Sequence, residues 1–467
     1  MATIGIELRV GPNDQGAEIN SADFNRFYTF YAEDSTQSSN RVSYSKLLKS
    51  LRKQRILPSE AGLDLLNVAT AVYAADTCVN RGHYSDDGWT RQLHLFVPVS
   101  NPDLWKSQEE LLKQLLNFLT GDLWHISFRQ SQGSITVSKR TLAPTNHHTN
   151  IVCLFSGGMD SFLGAMDLLE SQERPLLVGH AKSSDVSAFR NKAFDALRNH
   201  YSTLDPQLID AFVRIGKPKE NGLPIDGENT ERGRSFLFLA LGVACATGLP
   251  DISQRKQLYI PENGFITLNL PLTPLRLGAY STRTTHPYYL SLMQELFDGL
   301  DLKTTIINPF EFKTKGEMLL ASADPAFAAS VDTMSCSRPA TRNAMLETPG
   351  KRHCGRCVPC IIRRAALKKA NLPDSNEVLR SDGYPPYRTD IYMEALPVSK
   401  DGAPGVGEHA MALKYLSELV RTTPHFLPTA IRLTGPLSNP EESLAVYQRG
   451  LAEVEEVLRY IRIVDSV

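Results

Sequence analysis

A short apolar run leads directly into a glycine-rich loop, and this junction constrains the fold more than any other feature of the sequence. The run IVCLF occupies residues 151–155, the loop SGGMDS occupies residues 156–161, and an apolar-periodic stretch continues to about Ser171. A buried strand followed by a loop and a helix places the loop at the carboxyl edge of a parallel sheet, where such folds bind ligands. Short strands and helices alternate as far as Pro309, which predicts a doubly wound α/β sheet.

The groups offered by the loop suit a phosphate. Gly157 and Gly158 allow backbone N–H groups to approach phosphate oxygens, and the helix that follows adds the positive end of its dipole. Ser156 and Ser161 can donate hydroxyl hydrogen bonds to the same anion. Asp160 would repel phosphate directly, so we assign it to magnesium or to bracing the loop. The competing interpretation is a plain turn capped by Asp160. No GK[ST] follows, so this is not a Walker loop.

The complete SGGxDS string between a strand and a helix resembles the loop of the PP-loop ATP pyrophosphatases. The resemblance implies that the loop holds the pyrophosphate leaving group of ATP while a substrate oxygen attacks the α-phosphate. It also implies ATP and Mg²⁺ as cofactors and an adenylated substrate as the intermediate. We therefore expect an enzyme whose catalytic residues include Ser156, Asp160 and Ser161.

Four of the seven cysteines crowd into one segment of the chain. Cys336, Cys354, Cys357 and Cys360 follow the pattern C-x17-C-x2-C-x2-C. Four thiolates with no open position are typical of a closed, structural Zn²⁺ site. A disulfide pair is disfavoured in a reducing compartment, whereas an iron–sulfur cluster is not excluded by the spacing. The pattern predicts a tetrathiolate zinc site.

An SGGxDS loop near the start of an α/β domain and a C…CxxCxxC pattern near its end together resemble the QueC family of 7-cyano-7-deazaguanine synthases. The resemblance covers about residues 151–370. It implies a nucleotide-binding role for Arg234 in the string ERGRSF, although Ser235 stands where the family usually has Asn. An arginine at a helix start opposes the helix dipole, so a nearby anion is expected there; a plain surface arginine is the alternative.

Two further strings follow predicted strands and therefore reach the same edge of the sheet. Lys315, in the string TKGE, looks like the family's Thr-Lys-x-Glu segment and could neutralise phosphate or orient the carboxylate under attack; an exposed lysine is the alternative. Glu262 and Asn263, in the string PENG, could bind a guanine-like edge of the substrate, or they could cap a turn.

Composition and length bound the remaining possibilities. Basic and acidic residues balance at 50 against 51, so no basic field attracts nucleic acid. The N-terminus lacks a signal-like pattern, and glycines interrupt the longest apolar stretch, so we expect a cytoplasmic protein without membrane segments. The length predicts more than one domain, and the patterning along the chain predicts an α+β accessory, partner-binding domain at 1–148, a catalytic domain at 149–375 and a mainly helical extension at 376–467. The first domain is expected to end in a polar segment at 131–150, in which residues 144–148 form a linker.

The long chain resembles the QueC-like proteins of bacterial anti-phage systems, namely the QatC proteins of the Qat system and their counterparts in type IV CBASS. The strings DLL at 64–66, VYAAD at 72–76 and LTGDLW at 119–124 carry this resemblance. It implies a ligase that activates 7-carboxy-7-deazaguanine and joins it to an amine of a partner protein, such as its N-terminus.

Three other functions remain open. One is ordinary synthesis of 7-cyano-7-deazaguanine from ammonia. Another is sulfur or amide transfer to tRNA, which the neutral charge balance disfavours. The third, from a different class, is a binding subunit that has kept the fold and lost catalysis; the intact SGGMDS loop argues against it.

Overall fold

The computed structural model describes residues 2–33, 39–133, 135, 149–180, 184–220, 223–225, 227–228, 230–250, 254–268, 270, 283–337, 352–380, 383–398 and 407–465. The linker expected at 144–148 lies outside the described residues. The described strands are β1 (Thr3–Val10), β2 (Arg26–Ala32), β3 (Arg41–Ser43), β4 (Gln92–Val99), β5 (Leu123–Gln130), β6 (Ile151–Leu154), β7 (Leu176–Gly179), β8 (Gln207–Asp210), β9 (Arg214–Ile215), β10 (Lys219–Glu220), β11 (Leu223–Pro224), β12 (Lys256–Tyr259), β13 (Thr304–Ile307), β14 (Leu396–Val398) and β15 (Ile463–Asp465). The described helices are α1 (Ser45–Gln54), α2 (Glu60–Cys78), α3 (Arg81–Tyr84), α4 (Pro102–Ser107), α5 (Glu109–Thr120), α6 (Met159–Glu170), α7 (Ser184–His200), α8 (Arg234–Thr247), α9 (Gly264–Thr267), α10 (Pro287–Gly299), α11 (Lys315–Ala321), α12 (Pro325–Ser330), α13 (Val358–Lys369), α14 (Glu408–Thr422), α15 (Phe426–Arg432) and α16 (Pro440–Leu458).

The N-terminal strands form a sheet in the order β5-β4-β1-β2-β3-β9. Every pair among β1 to β5 is parallel, and only the short strand β9 joins in the antiparallel sense. Parallel neighbours need long crossovers rather than hairpins, and helices α1 to α3 separate β3 from β4 while α4 and α5 separate β4 from β5. The expected α+β class for residues 1–148 is therefore wrong, because this region has an α/β arrangement.

The central sheet contains β13, β12, β6, β7 and β8 in that order, and all of its pairs are parallel. Helix α8 packs on one face, and α6 packs on the other. Strand β6 is buried along its whole length because its side chains alternate between two cores, with Val152 in one and Cys153 in the other. The parallel α/β sheet expected from residue 151 onward is thus present.

The N-terminal and central sheets share one hydrophobic core. Helix α2 packs along α8, and the apolar side chains of both belong to the cluster that also includes the inner face of the first sheet. Strand β9 comes from the central part of the chain but extends the N-terminal sheet by pairing Ile215 with Val42. Residues 1–148 therefore contribute to the same core that buries one face of the central sheet.

The C-terminal helices form a third apolar cluster together with α9 and α13. Helix α16 packs against α9, α11 and α13, so the extension covers the side of the central sheet where Lys315 begins a helix. Among the described residues, no helix combines the length and apolar character needed to cross a bilayer.

Candidate functional site

The central sheet reverses its winding direction between β6 and β12. The strands run 3-2-1-4-5 in their own order of appearance, so the first and fourth strands are neighbours at the centre. The SGGMDS loop follows the first, and the PEN segment follows the fourth. In open α/β sheets the crevice at such a reversal is where ligands bind. The two strings singled out in the sequence therefore meet at the position that this fold provides for a ligand.

The loop adopts a conformation that only glycine tolerates well. Gly157 has φ of +85°, and a Cβ atom there would lie 2.6 Å from the Cα of Arg190 on α7. Gly158 occupies the N-cap position of α6 and has no side chain to cap it. Because nothing from the cap residue bonds the first N–H groups of this 12-residue helix, they remain suited to an anion.

Hydroxyl groups line the mouth of the loop. The Oγ atoms of Ser156 and Ser161 are 3.2 Å apart. The Gly158 N–H donates to Ser156 Oγ at 3.3 Å, and Ser161 Oγ donates to the Gly158 carbonyl oxygen at 3.0 Å. Ser156 is partly exposed, whereas Ser161 is buried. The pair is thus positioned beside the glycines, as the phosphate-loop interpretation requires.

Asp160 points away from the loop mouth into a buried polar cluster. Its Oδ1 lies 2.9 Å from Lys315 Nζ, and its Oδ2 accepts a 2.7 Å hydrogen bond from Asn263 Nδ2. The Glu262 carboxyl group also hydrogen-bonds to Asp160. Asn263 Oδ1 accepts a hydrogen bond from the Ile266 N–H, so the same side-chain amide both caps α9 and orients Asp160. Of the two roles considered for Asp160, this geometry matches bracing of the loop.

The two carboxyl groups of this cluster have pKa values shifted in opposite directions. Burial alone would raise the pKa of Asp160, but the charge of Lys315 and hydrogen bonds from Glu262, Lys315 and Asn263 outweigh it and lower that pKa. Burial, followed by the charge of Asp160, raises the pKa of Glu262 well above its ordinary value. Glu262 therefore releases its proton at a higher pH than Asp160 does, and Asp160 is the carboxylate that pairs with Lys315.

The C-terminal extension contacts the start of the helix that contains Lys315. It is the first residue of α11, whose N-cap Thr314 forms a capping box with Glu317. Thr314 Oγ1 donates to Glu453 Oε1 on α16 at 2.6 Å, and Arg449 on the same helix pairs with Glu317 at 2.6 Å. Lys315 is 4% exposed and paired with Asp160, so in this arrangement it braces the loop and does not project into the crevice.

The four clustered cysteines are brought together as the spacing predicted. Their sulfur atoms all lie within 4.8 Å of one another, and all four residues are buried. The Cys336–Cys357 and Cys354–Cys360 sulfur pairs are 3.9 and 3.8 Å apart. Four sulfurs bound at ~2.3 Å to a tetrahedral zinc would be about 3.8 Å apart. These distances are too long for disulfides, and the cluster can hold a metal such as zinc.

The cysteine cluster is connected directly to the SGGMDS loop. Cys336 follows a short segment in which the Met334 N–H donates to the Gly157 carbonyl oxygen at 2.8 Å. Arg363 on α13 donates to Thr333 Oγ1 at 2.7 Å, so the helix that begins at the cluster also holds this segment. A metal at the four sulfurs would therefore stabilise one wall of the loop as well as its own turn.

The structure places Arg234 near the carboxyl end of β7. It is the partly exposed first residue of α8, close enough to His180 at the end of β7 to contribute to that residue's low pKa. Its neighbour Arg232 is buried instead, donating to the Thr120 carbonyl oxygen at 2.7 Å and stacking 4.2 Å from the Trp89 ring. The ERGR string therefore contacts the N-terminal region through Arg232 and Gly233.

The N-terminal strings that carry the more specific resemblance also have a structural role. VYAAD ends in Asp76 and LTGDLW contains Asp122, and these buried carboxylates pair with Arg91 at 2.7 Å each. Arg81 completes the network by bonding Asp122 at 2.8 Å. The Gly233 N–H donates to Asp76 Oδ2, which joins the network to the start of α8. These strings thus hold α8 against the N-terminal sheet.

Sequence reasoning missed two polar residues beside the loop. Arg190, on α7, is completely buried, and its side chain passes over Gly179 at the end of β7. His180 is 1% exposed at the same strand end, and burial, with help from Arg234 and Arg190, lowers its pKa to about 3. His180 follows a strand end, which was an available signal. Arg190 in an amphipathic helix gave none.

Comparison with known proteins adds no relative to this picture. Neither the models of protein families nor the curated proteins match the sequence.

Proposed function

We propose that this chain is an ATP-dependent ligase that adenylates 7-carboxy-7-deazaguanine and transfers the acyl group to an amine of a partner protein in anti-phage defence. The observation that carries the proposal is the glycine loop at the reversal of the sheet, with an uncapped helix N-terminus and paired serine hydroxyls. These groups favour the charge of a departing pyrophosphate. The PP-loop fold and the QueC-type chemistry belong to this proposal.

The reaction has two steps. A carboxylate oxygen of the substrate attacks the α-phosphorus of ATP, the bond to the bridging oxygen breaks, and pyrophosphate leaves. An amine nitrogen then attacks the acyl carbon. The bond between that carbon and the AMP oxygen breaks, AMP leaves, and the nitrogen loses a proton. Mg²⁺, when bound with ATP, neutralises phosphate charge. The chain's own part is to orient the phosphates with Gly157, Gly158 and the two serine hydroxyls, while the Asp160–Lys315 pair keeps the loop in place.

We expect Ser161→Ala to lower substrate-dependent pyrophosphate release on the order of 100-fold, the loss typical of removing one donor to a developing oxyanion. The side chain is small and its partners are Ser156 and the Gly158 carbonyl oxygen, so the fold should persist. Ser171→Ala is the matched control, because Ser171 Oγ bonds a backbone carbonyl at the far end of the same helix. Pyrophosphate release at the wild-type rate in Ser161→Ala would contradict the loop assignment.

The nucleophile is tested separately from ATP chemistry. A protein encoded beside this chain, incubated with it, ATP and 7-carboxy-7-deazaguanine, should gain the mass of one deazaguanine amide at its N-terminus by mass spectrometry. The Ser161→Ala enzyme should modify the partner more slowly, on the order of 100-fold. If the partner's mass stays unchanged while ammonia is converted efficiently to free 7-cyano-7-deazaguanine, the ordinary nitrile synthase is the correct function.

The structure determines how partner docking should be probed. Removing residues 1–148 would take away β1 to β5, strip α8 of its cover and separate Gly233 from Asp76. That truncation would expose the shared core and is expected to unfold the catalytic sheet. Docking is therefore better tested with exposed single residues of the N-terminal region, whose loss leaves the core untouched.

A further inference from the structure

The strongest unassigned feature lies beside the loop at the ends of β6, β7 and β8. The Arg190 side chain starts against Gly157 and runs across Gly179, where a Cβ atom would come within 2.9 Å of its Nε and 3.0 Å of its Nη1. Both glycines are needed for this path. The guanidinium group is therefore built into the carboxyl edge of the sheet, next to the phosphate loop.

The hydrogen bonds of this guanidinium group are incomplete. Its Nη2 donates to Asp210 at 3.0 Å and to Asn191 at 3.2 Å. Among the described residues, Nε and Nη1 of Arg190 and Nδ1 of His180 are buried without a partner. A buried polar group without a partner is costly, and such groups are uncommon unless a ligand or water completes them.

Local charge favours an anion as that ligand. Asp210 is shared between Arg190 and Lys46, which lies 4.0 Å from it. Another carboxylate near α7, that of Asp332, pairs with Arg380 at 3.1 Å and with Lys192 at 3.7 Å. Among these described side chains the cations outnumber the carboxylates, and Arg234 adds a further positive charge near His180.

We propose that Arg190, with His180 beside it, binds the pyrophosphate end of the nucleotide, supplying the cation that Lys315 cannot supply because Asp160 occupies it. The inference rests on the proposed function for the name of the ligand, but the anion site stands on its own geometry. Two donors of one guanidinium group on the same phosphate oxygens match the geometry for which arginine is suited. The base of the Arg190 side chain lies against Gly157, so the guanidinium group extends from the loop that would hold the leaving group.

The test measures binding of inorganic pyrophosphate in magnesium-containing buffer by calorimetry, without any carboxylate substrate. Arg190→Gln should weaken pyrophosphate binding by about 10- to 100-fold, the loss expected for charged hydrogen bonds, and Arg190→Lys should recover part of it. AMP affinity should change by less than about threefold. Arg198→Gln is the control, because Arg198 is an exposed arginine of the same helix.

Folding is checked through the thermal midpoint and zinc content. Asp210 is 36% exposed and keeps Lys46 nearby, so it stays hydrated when Arg190 is replaced. Unchanged pyrophosphate affinity in folded Arg190→Gln would overturn the proposal, and so would an equal loss of AMP affinity, which would place Arg190 at the α-phosphate. Arg190-dependent pyrophosphate binding in a chain that never turns over ATP would leave this site standing and refute the ligase.

Discussion

Asp160→Ala is expected to destabilise the protein as well as to abolish ATP turnover. The substitution leaves the Lys315 ammonium group buried without its carboxylate, and breaking a buried pair in this way typically costs about 3–5 kcal/mol. Glu262 would offset part of that loss, because its pKa falls once the Asp160 charge is gone and it can then ionise against Lys315. The midpoint of urea unfolding measures the net effect.

A mutant cycle separates the buried pair from the loop chemistry. Lys315→Met removes the charge while keeping most of the length of the side chain, so the double variant Asp160→Ala with Lys315→Met should be more stable than Asp160→Ala alone. Adding Glu262→Gln to Asp160→Ala should lower stability further, since no carboxylate then remains near Lys315. Asp160→Ala protein that unfolds at the wild-type urea concentration would show that the pair does not brace the loop.

The parts of this site that the sequence predicts are those that depend on local patterns of neighbouring residues. The strand, loop and helix from Ile151 onward follow from local patterning, and the cysteine spacing brings four sulfurs together because a tight turn supplies three of them. Glu262 and Asn263 were expected at the same edge of the sheet, and there they are. What sequence could not supply is which distant side chains touch.

Lys315 illustrates that limit. Its position after a strand predicts a cation that faces phosphate. Its pairing with Asp160, however, depends on the order in which β12 and β13 pair beside β6 in the sheet. Arg190 shows the converse, since a helical arginine gives no periodic signal of being buried; two glycines on other elements make room for it. The α+β expectation for residues 1–148 fails for a related reason. Alternation identifies a strand but does not reveal whether its neighbour is parallel.

Loss of the metal is expected to have the broadest effect of any change to this chain. We predict one tightly bound zinc per chain by elemental analysis, and insoluble protein from Cys354→Ser or Cys357→Ser, because a closed tetrathiolate site contributes its binding energy directly to folding. Cys245→Ala is the matched control, since Cys245 is an equally buried cysteine of α8 outside the cluster. It should remain soluble with its full zinc content.

Partial removal of zinc by a chelator should weaken pyrophosphate binding at the glycine loop before the protein precipitates. In the short segment that precedes Cys336, the Met334 N–H donates a hydrogen bond to the Gly157 carbonyl oxygen. Loosening the cluster therefore frees one wall of the loop. Affinity for inorganic pyrophosphate should therefore fall in step with zinc content and return when zinc is restored. Iron in place of zinc, or soluble metal-free protein that binds pyrophosphate normally, would contradict a structural zinc that supports the loop.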